Sequence, residues 1–209
     1  MIKKKNRIFI VLLTILLIST LVGCSSSEPT TTEPSEAKEP TSDGEVKGLS
    51  EAFAEQPIAL TSVGQSADVE MVKALMDNAG LDYTINKVLK GEELGDAKTL
   101  VLAVGGSSKG LGAAGIDADD ELVRTISLIE AAKEEDIKII AMHIGGENRR
   151  GELSDKFIEP ACSVADYIII VEDGNKDGLF TNIASNRNIP MDSVTSIADA
   201  MEPLTKAFK

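Results

Sequence analysis

Two short stretches hold the residue types from which an anion site is built. Gly105-Gly106-Ser107-Ser108-Lys109-Gly110 follows the apolar run Leu100–Val104, and Ser62-Val63-Gly64-Gln65-Ser66 closes another apolar run. Glycines let backbone N–H groups approach a ligand closely. The hydroxyls of Ser62, Ser66, Ser107 and Ser108 can donate, Gln65 adds an amide, and Lys109 adds a positive charge. Such a set suits a carboxylate or a phosphate. The expected ligand-binding residues are therefore Ser62, Gly64, Gln65, Ser66, Gly105, Gly106, Ser107, Ser108 and Lys109. His143, the single histidine, joins them because it ends a further apolar run. A loop that merely turns the chain accounts for the same glycines, and a histidine closing a buried strand is commonly just a satisfied polar group.

Catalytic readings of these residues meet specific obstacles. Gly106-Ser107-Ser108-Lys109-Gly110 has Gly-x-Ser-x-Gly spacing and resembles the nucleophile elbow of α/β-hydrolases. That resemblance implies Ser108 as nucleophile, with His143 and Asp173 beyond later strands. Here, however, His precedes Asp in the chain, and the next helix is expected only near Asp119. Gly106, Gly110 and Gly112 also resemble the Gly-x-x-x-Gly-x-Gly loop of short-chain dehydrogenases. That loop follows a first strand rather than a third, and the Tyr83/Lys87 pair with the family's spacing lies upstream. Lys109 is followed by Gly, which excludes the phosphate loop of ATPases. One histidine and a lone internal Cys162 do not make a zinc site, and Asp173–Gly178 lacks the closing Glu of a calcium loop. No metal, cofactor or catalytic residue is expected. A serine hydrolase using Ser108 or Ser62 with His143 stands as the alternative.

The elements that must position these residues alternate in type. Pro57–Val63, Leu81–Val88, Leu100–Val104, Ile137–Ile144 and Tyr167–Val171 read as strands, with Pro190–Val194 as an edge strand. Between them, apolar residues recur at helical spacing from Ser66 to Ala79. They do so again after Asp117, with Leu122, Ile126 and Ile129 on one face, and in Ser154–Ala165, Gly178–Asn186 and Ile197–Phe208. Strand–helix alternation predicts an α/β fold: one doubly wound, mostly parallel, Rossmann- or flavodoxin-like sheet of five or six strands with helices on both faces. Ligands of such sheets bind beyond the carboxyl ends of the strands, where both candidate loops lie. Residues 50–209 suffice for a single domain and are too few for the two lobes of a periplasmic receptor.

Composition bounds the partners. The chain of 209 residues carries 21 basic and 34 acidic side chains. Without Lys3, Lys4, Lys5 and Arg7 of the first segment, 17 bases face 34 acids, a net charge of −17. No basic footprint for nucleic acid is present. Aromatics make up only 3%, which weakens a carbohydrate reading. Lys3–Arg7 followed by the apolar Ile8–Ile18 has the form of a signal peptide. Leu21-Val22-Gly23-Cys24 then resembles the lipobox of bacterial lipoproteins. The resemblance implies cleavage after Gly23, lipidation of Cys24, and anchoring at the extracytoplasmic face of the cell membrane. Residues 24–49, dense in Ser, Thr, Pro and Glu, read as a solvated tether.

Thr61–Val69 and the Gly105–Gly115 loop make the globular part similar to an uncharacterised domain family of exported bacterial proteins. That likeness implies an extracytoplasmic α/β domain and no particular activity. The expected function is a lipoprotein that binds a small anion for uptake or sensing, with a membrane transporter or sensor as its partner. A structural or partner-binding lipoprotein without a small-molecule site is the third reading.

Overall fold

The computed structural model describes residues 46–209. The expected signal peptide, Cys24 and the expected tether up to residue 45 lie outside the described residues. Among those described, no helix is long and apolar enough to cross a membrane.

Six strands form a single parallel sheet: β1 (Ile58–Val63), β2 (Tyr83–Ile85), β3 (Thr99–Val104), β4 (Lys138–His143), β5 (Tyr167–Val171) and β6 (Met191–Val194), in the order β2-β1-β3-β4-β5-β6. The inner strands are buried on both faces, as continuous Val/Ile/Leu runs require. Leu100, Leu102, Ile139 and Ile168 point to one core, into which α3 (Ala118–Glu134), α4 (Glu152–Cys162) and α5 (Leu179–Arg187) pack. Leu60, Val101, Ile140 and Ile169 point to the other, covered by α1 (Asp68–Ala79) and α6 (Met201–Lys206). The doubly wound architecture is thus as expected, with all six strands parallel. Cys162 is fully buried, and desolvation pushes its thiol up to about 12, so it serves as a small packing residue.

Three elements differ from the sequence reading. The second strand is three residues long rather than Leu81–Val88, because the chain leaves the sheet after Ile85 toward α3. A helix missing from that reading, α2 (Ser108–Ala114), starts directly after the glycine loop, with Ser107 Oγ accepting from the Gly110 N–H at 3.1 Å. Two glycines in seven residues hide it from propensity. Finally, Val46–Leu49 lies on the domain instead of ending the tether. The Met191 N–H donates to the Lys47 carbonyl (3.0 Å), the Leu49 N–H donates to Asp192 Oδ2 (3.0 Å), and Leu49 is buried. The Tyr167 hydroxyl donates to the same Asp192 oxygen, tying this strap to β5 and β6. The strap so covers an otherwise open sheet edge.

From adjacent β1 and β3 the chain departs in opposite directions, to β2 on one side and to β4 on the other. That is the switch point at which open α/β sheets leave a crevice.

Candidate functional site

The loops after β1 and β3 are zipped together by their backbones. The Gly105 N–H donates to the Val63 carbonyl (2.8 Å), the Ser66 N–H to Gly105 (3.2 Å), and the Ser107 N–H to Gly64 (2.9 Å). Contact this close needs glycine. A Cβ on Gly64, whose φ is +89°, would lie 2.6 Å from the Gly105 carbonyl oxygen. One on Gly110 would lie 1.8 Å from that of Gln65, and one on Gly106 would lie 2.8 Å from the Ser154 nitrogen. Steric fit between loops, rather than approach of a ligand, explains these glycines.

Below the zipped loops lies an ion pair on α3. Glu121 is fully buried and Arg124 is 10% exposed at its side chain. Glu121 Oε1 accepts from the Gly64 N–H (2.8 Å), Gln65 Nε2 (3.1 Å) and Arg124 Nη2 (2.7 Å), and Oε2 accepts from Arg124 Nε (2.7 Å). Arg124 also donates to the carbonyls of Ser62 and Leu89, each at 2.7 Å. Both carboxylate oxygens and four of the five guanidinium N–H groups of the pair therefore meet β1, the loop after it, the segment after β2, or the partner side chain. That satisfaction makes a buried pair tolerable. Gln65, at the left-handed φ of 58°, completes the staple by donating to the Lys87 carbonyl (2.8 Å).

These contacts correct several expectations. The N–H groups of Gly64, Gly105 and Gly106 face Glu121, Val63 and Ser154 Oγ respectively, so none is free for an anion. Ser62 is buried and its Oγ donates to the Ser66 carbonyl (3.4 Å). Ser108 is exposed on α2. His143 is fully buried, with Nδ1 3.0 Å from the Val104 carbonyl and Nε2 3.3 Å from that of Gly146. Both ring nitrogens face backbone oxygens, so the arrangement of His143 with Ser108 or Ser62 that a hydrolase would need is not built. Asp173, the third member of that set, accepts from the Glu147 N–H.

Desolvation holds His143 below its ordinary value of 6.5, outweighing its two backbone contacts. The folded chain keeps it neutral while the unfolded chain takes up a proton as pH falls through about 6.5. This contribution to stability is present above that pH and is lost progressively below it. Urea midpoints measured at about pH 7.5 and about pH 5.5 should therefore fall less in His143→Gln than in the parent.

What remains open is a cleft of ≈490 Å³ between the start of α1, the segment after β2, and α2. Of the residues singled out in the sequence, Gln65, Ser66, Ser107 and Lys109 line it, joined by Ala67, Lys87, Val88, Gly110, Ala113 and Ala114. Lys87 pairs with Glu70 at 2.6 Å, both side chains half exposed. Lys109 has no acidic partner among the described residues. Ser66 Oγ accepts from the Asp68 N–H (3.1 Å) and Ser107 Oγ from Gly110, leaving both hydroxyl hydrogens to donate. Among the described residues no group of His, Cys, Asp or Glu is arranged to hold a metal ion.

The family model described as "Domain of unknown function (DUF6305)" matches residues 55–208, the whole of the sheet and its helices. The chain belongs to the DUF6305 family. No curated protein matches it. Among solved structures, this DUF6305 domain is similar to a GDSL-like lipase from Bacteroides thetaiotaomicron, at 14% identity, 65% of this chain, 66% of that one and a TM-score of 0.30. It is also similar to a psychrotrophic esterase from Pseudoalteromonas, at 13% identity, 68% and 78% coverage and a TM-score of 0.30. A third likeness is to an SGNH-hydrolase family esterase, at 11% identity, 73% and 80% coverage and a TM-score of 0.29. Figures this low carry nothing about the chemistry of the DUF6305 cleft.

Proposed function

We propose that this DUF6305 domain is the ligand-binding head of a lipid-anchored extracytoplasmic protein. It takes a small carboxylate or phosphate ester in the cleft at the switch point, for uptake or sensing with a membrane partner. One observation carries the reading. In a chain of net charge −13, the residues lining the cleft include Lys109, which has no acidic partner among the described residues, and two serine hydroxyls, and they include no carboxylate. Lys109 supplies the charge, with Ser66 and Ser107 as neutral donors. A charge-assisted hydrogen bond of this kind contributes about 1.5–3 kcal/mol.

Calorimetric titration of the full chain with a panel of carboxylates and phosphate esters tests it. Lys109→Met should weaken binding by at least about tenfold, while stability stays within about 0.5 kcal/mol because the residue is exposed. No binding by any anion, or binding unaffected in Lys109→Met, overturns the reading.

The anchor is supported by the lipobox at Leu21–Cys24 and by the apolar segment before it. Labelled palmitate should be incorporated into the parent and not into Cys24→Ser, and the variant chain should fail to become acyl-anchored. Equal labelling of both overturns the assignment of Cys24.

A further inference from the structure

The polar groups of the cleft occupy only part of its wall. Val88 is 40% exposed, one of four large hydrophobic side chains so placed among the described residues, and it borders the cleft. Ala67, Ala113 and Ala114 form the rest of the apolar wall. Ala113 and Ala114 are exposed on a helix whose next turn carries Lys109 and Gly110. Residues four apart lie on one helix face, one turn or about 5.4 Å along the axis. Lys109 above Ala113, and Gly110 above Ala114, therefore make a track that runs from cationic to apolar. Val88 faces the same space from the opposite bank.

We infer that the ligand is an amphiphilic anion, a carboxylate or phosphate head at Lys109 and Ser107 with an unbranched apolar tail lying along Ala113, Ala114 and Val88. This rests on the anion-binding reading above and narrows it to a ligand class. Hydrophilic anions such as inorganic phosphate or citrate leave Val88 and the two alanines wet and gain nothing from them. An alkyl tail removes that apolar surface from water.

The test is a chain-length series, acetate, butanoate, hexanoate and octanoate, titrated into the full chain in lipid nanodiscs and read against empty nanodiscs. Hexanol and inorganic phosphate complete the set. Affinity should rise about two- to fourfold per methylene up to the length of the track, the upper figure being full burial of a methylene. In Val88→Ser the series should flatten, and in Lys109→Met all members should weaken together. If acetate, phosphate and the longer acids bind equally, the amphiphile is wrong while the anion site stands. If hexanol binds as well as hexanoate, or if no member binds, the anion site fails too.

Discussion

Replacing Glu121 by alanine should cost ~3–5 kcal/mol and lower the melting temperature by roughly 10 °C or more. The carboxylate is fully buried and is the acceptor for the Gly64 N–H, the Gln65 amide and two nitrogens of Arg124. Its removal leaves a guanidinium in the interior with no counter-charge, together with an unpaired N–H at the turn after β1. An orphaned buried charge is penalised far more than its intact pair is rewarded. Glu121→Gln keeps one acceptor oxygen but loses the charge and turns the other oxygen into an NH2 donor facing donors, so its loss should be substantial yet smaller than that of alanine. Thermal unfolding followed by circular dichroism gives the ranking parent, Gln variant, Ala variant. A loss below about 1 kcal/mol in Glu121→Ala would mean that the pair does not hold the loops together.

The second large effect comes from a single methyl group. In Gly110→Ala the new Cβ would stand 1.8 Å from the Gln65 carbonyl oxygen, a backbone atom held by the zipped loops. Neither partner can turn aside as a flexible side chain would, so α2 has to move off the β1 loop. Overpacking of this kind costs about 1–3 kcal/mol. The same shift carries Lys109, Ser107 and Ala113 away from Ser66, so ligand binding should be lost. Gly112→Ala is the matched control. Its Cβ meets nothing within 4 Å, and alanine inside a helix is favoured over glycine by about 0.5–1 kcal/mol. Opposite signs for two glycines two residues apart in one helix are the expected result from urea unfolding. Equal effects would contradict the packing account of the loop.

Much of the fold was legible because its signals are local. Continuous apolar runs such as Leu100–Val104 and Tyr167–Val171 mark strands buried on both faces, and their alternation with helical spacing gives the doubly wound sheet. On α3 the same logic finds only part of the stripe. Leu122 and Ile129 pack on the core as the spacing implies, but Ile126 is 40% exposed, and the buried stripe also holds Glu121, Thr125, Leu128 and Ala132. A buried ion pair is charged in sequence and core-like in space, so hydrophobic periodicity passes over it. The only sequence trace of it is the Glu121/Arg124 spacing of three, which an exposed helix face shows equally.

The candidate site divides the same way. Gln65, Ser66, Ser107 and Lys109 share one cleft, in keeping with the rule that crevices form beyond strand ends at a switch point. Gly64, Gly105 and Gly106 do not line it, because glycine permits close approach without naming what approaches. Here it is a second loop and α4. His143 ends its strand as expected, but it is sealed in the interior by Val104, Gly146 and the Phe180 ring. Lys87 and Val88 were assigned to a strand, so their place on the cleft wall depends on β2 ending at Ile85.

Amide shifts of the isotopically labelled chain during titration with hexanoate test the account most directly, since they report both whether an anion binds and where. Saturable changes are expected at Gln65, Ser107, Lys109 and Gly110, on one binding curve, with the separate depression lined by Glu147, Asp173 and Lys176 silent. Changes centred on that depression, or none at any concentration of the acid, would overturn the anion site.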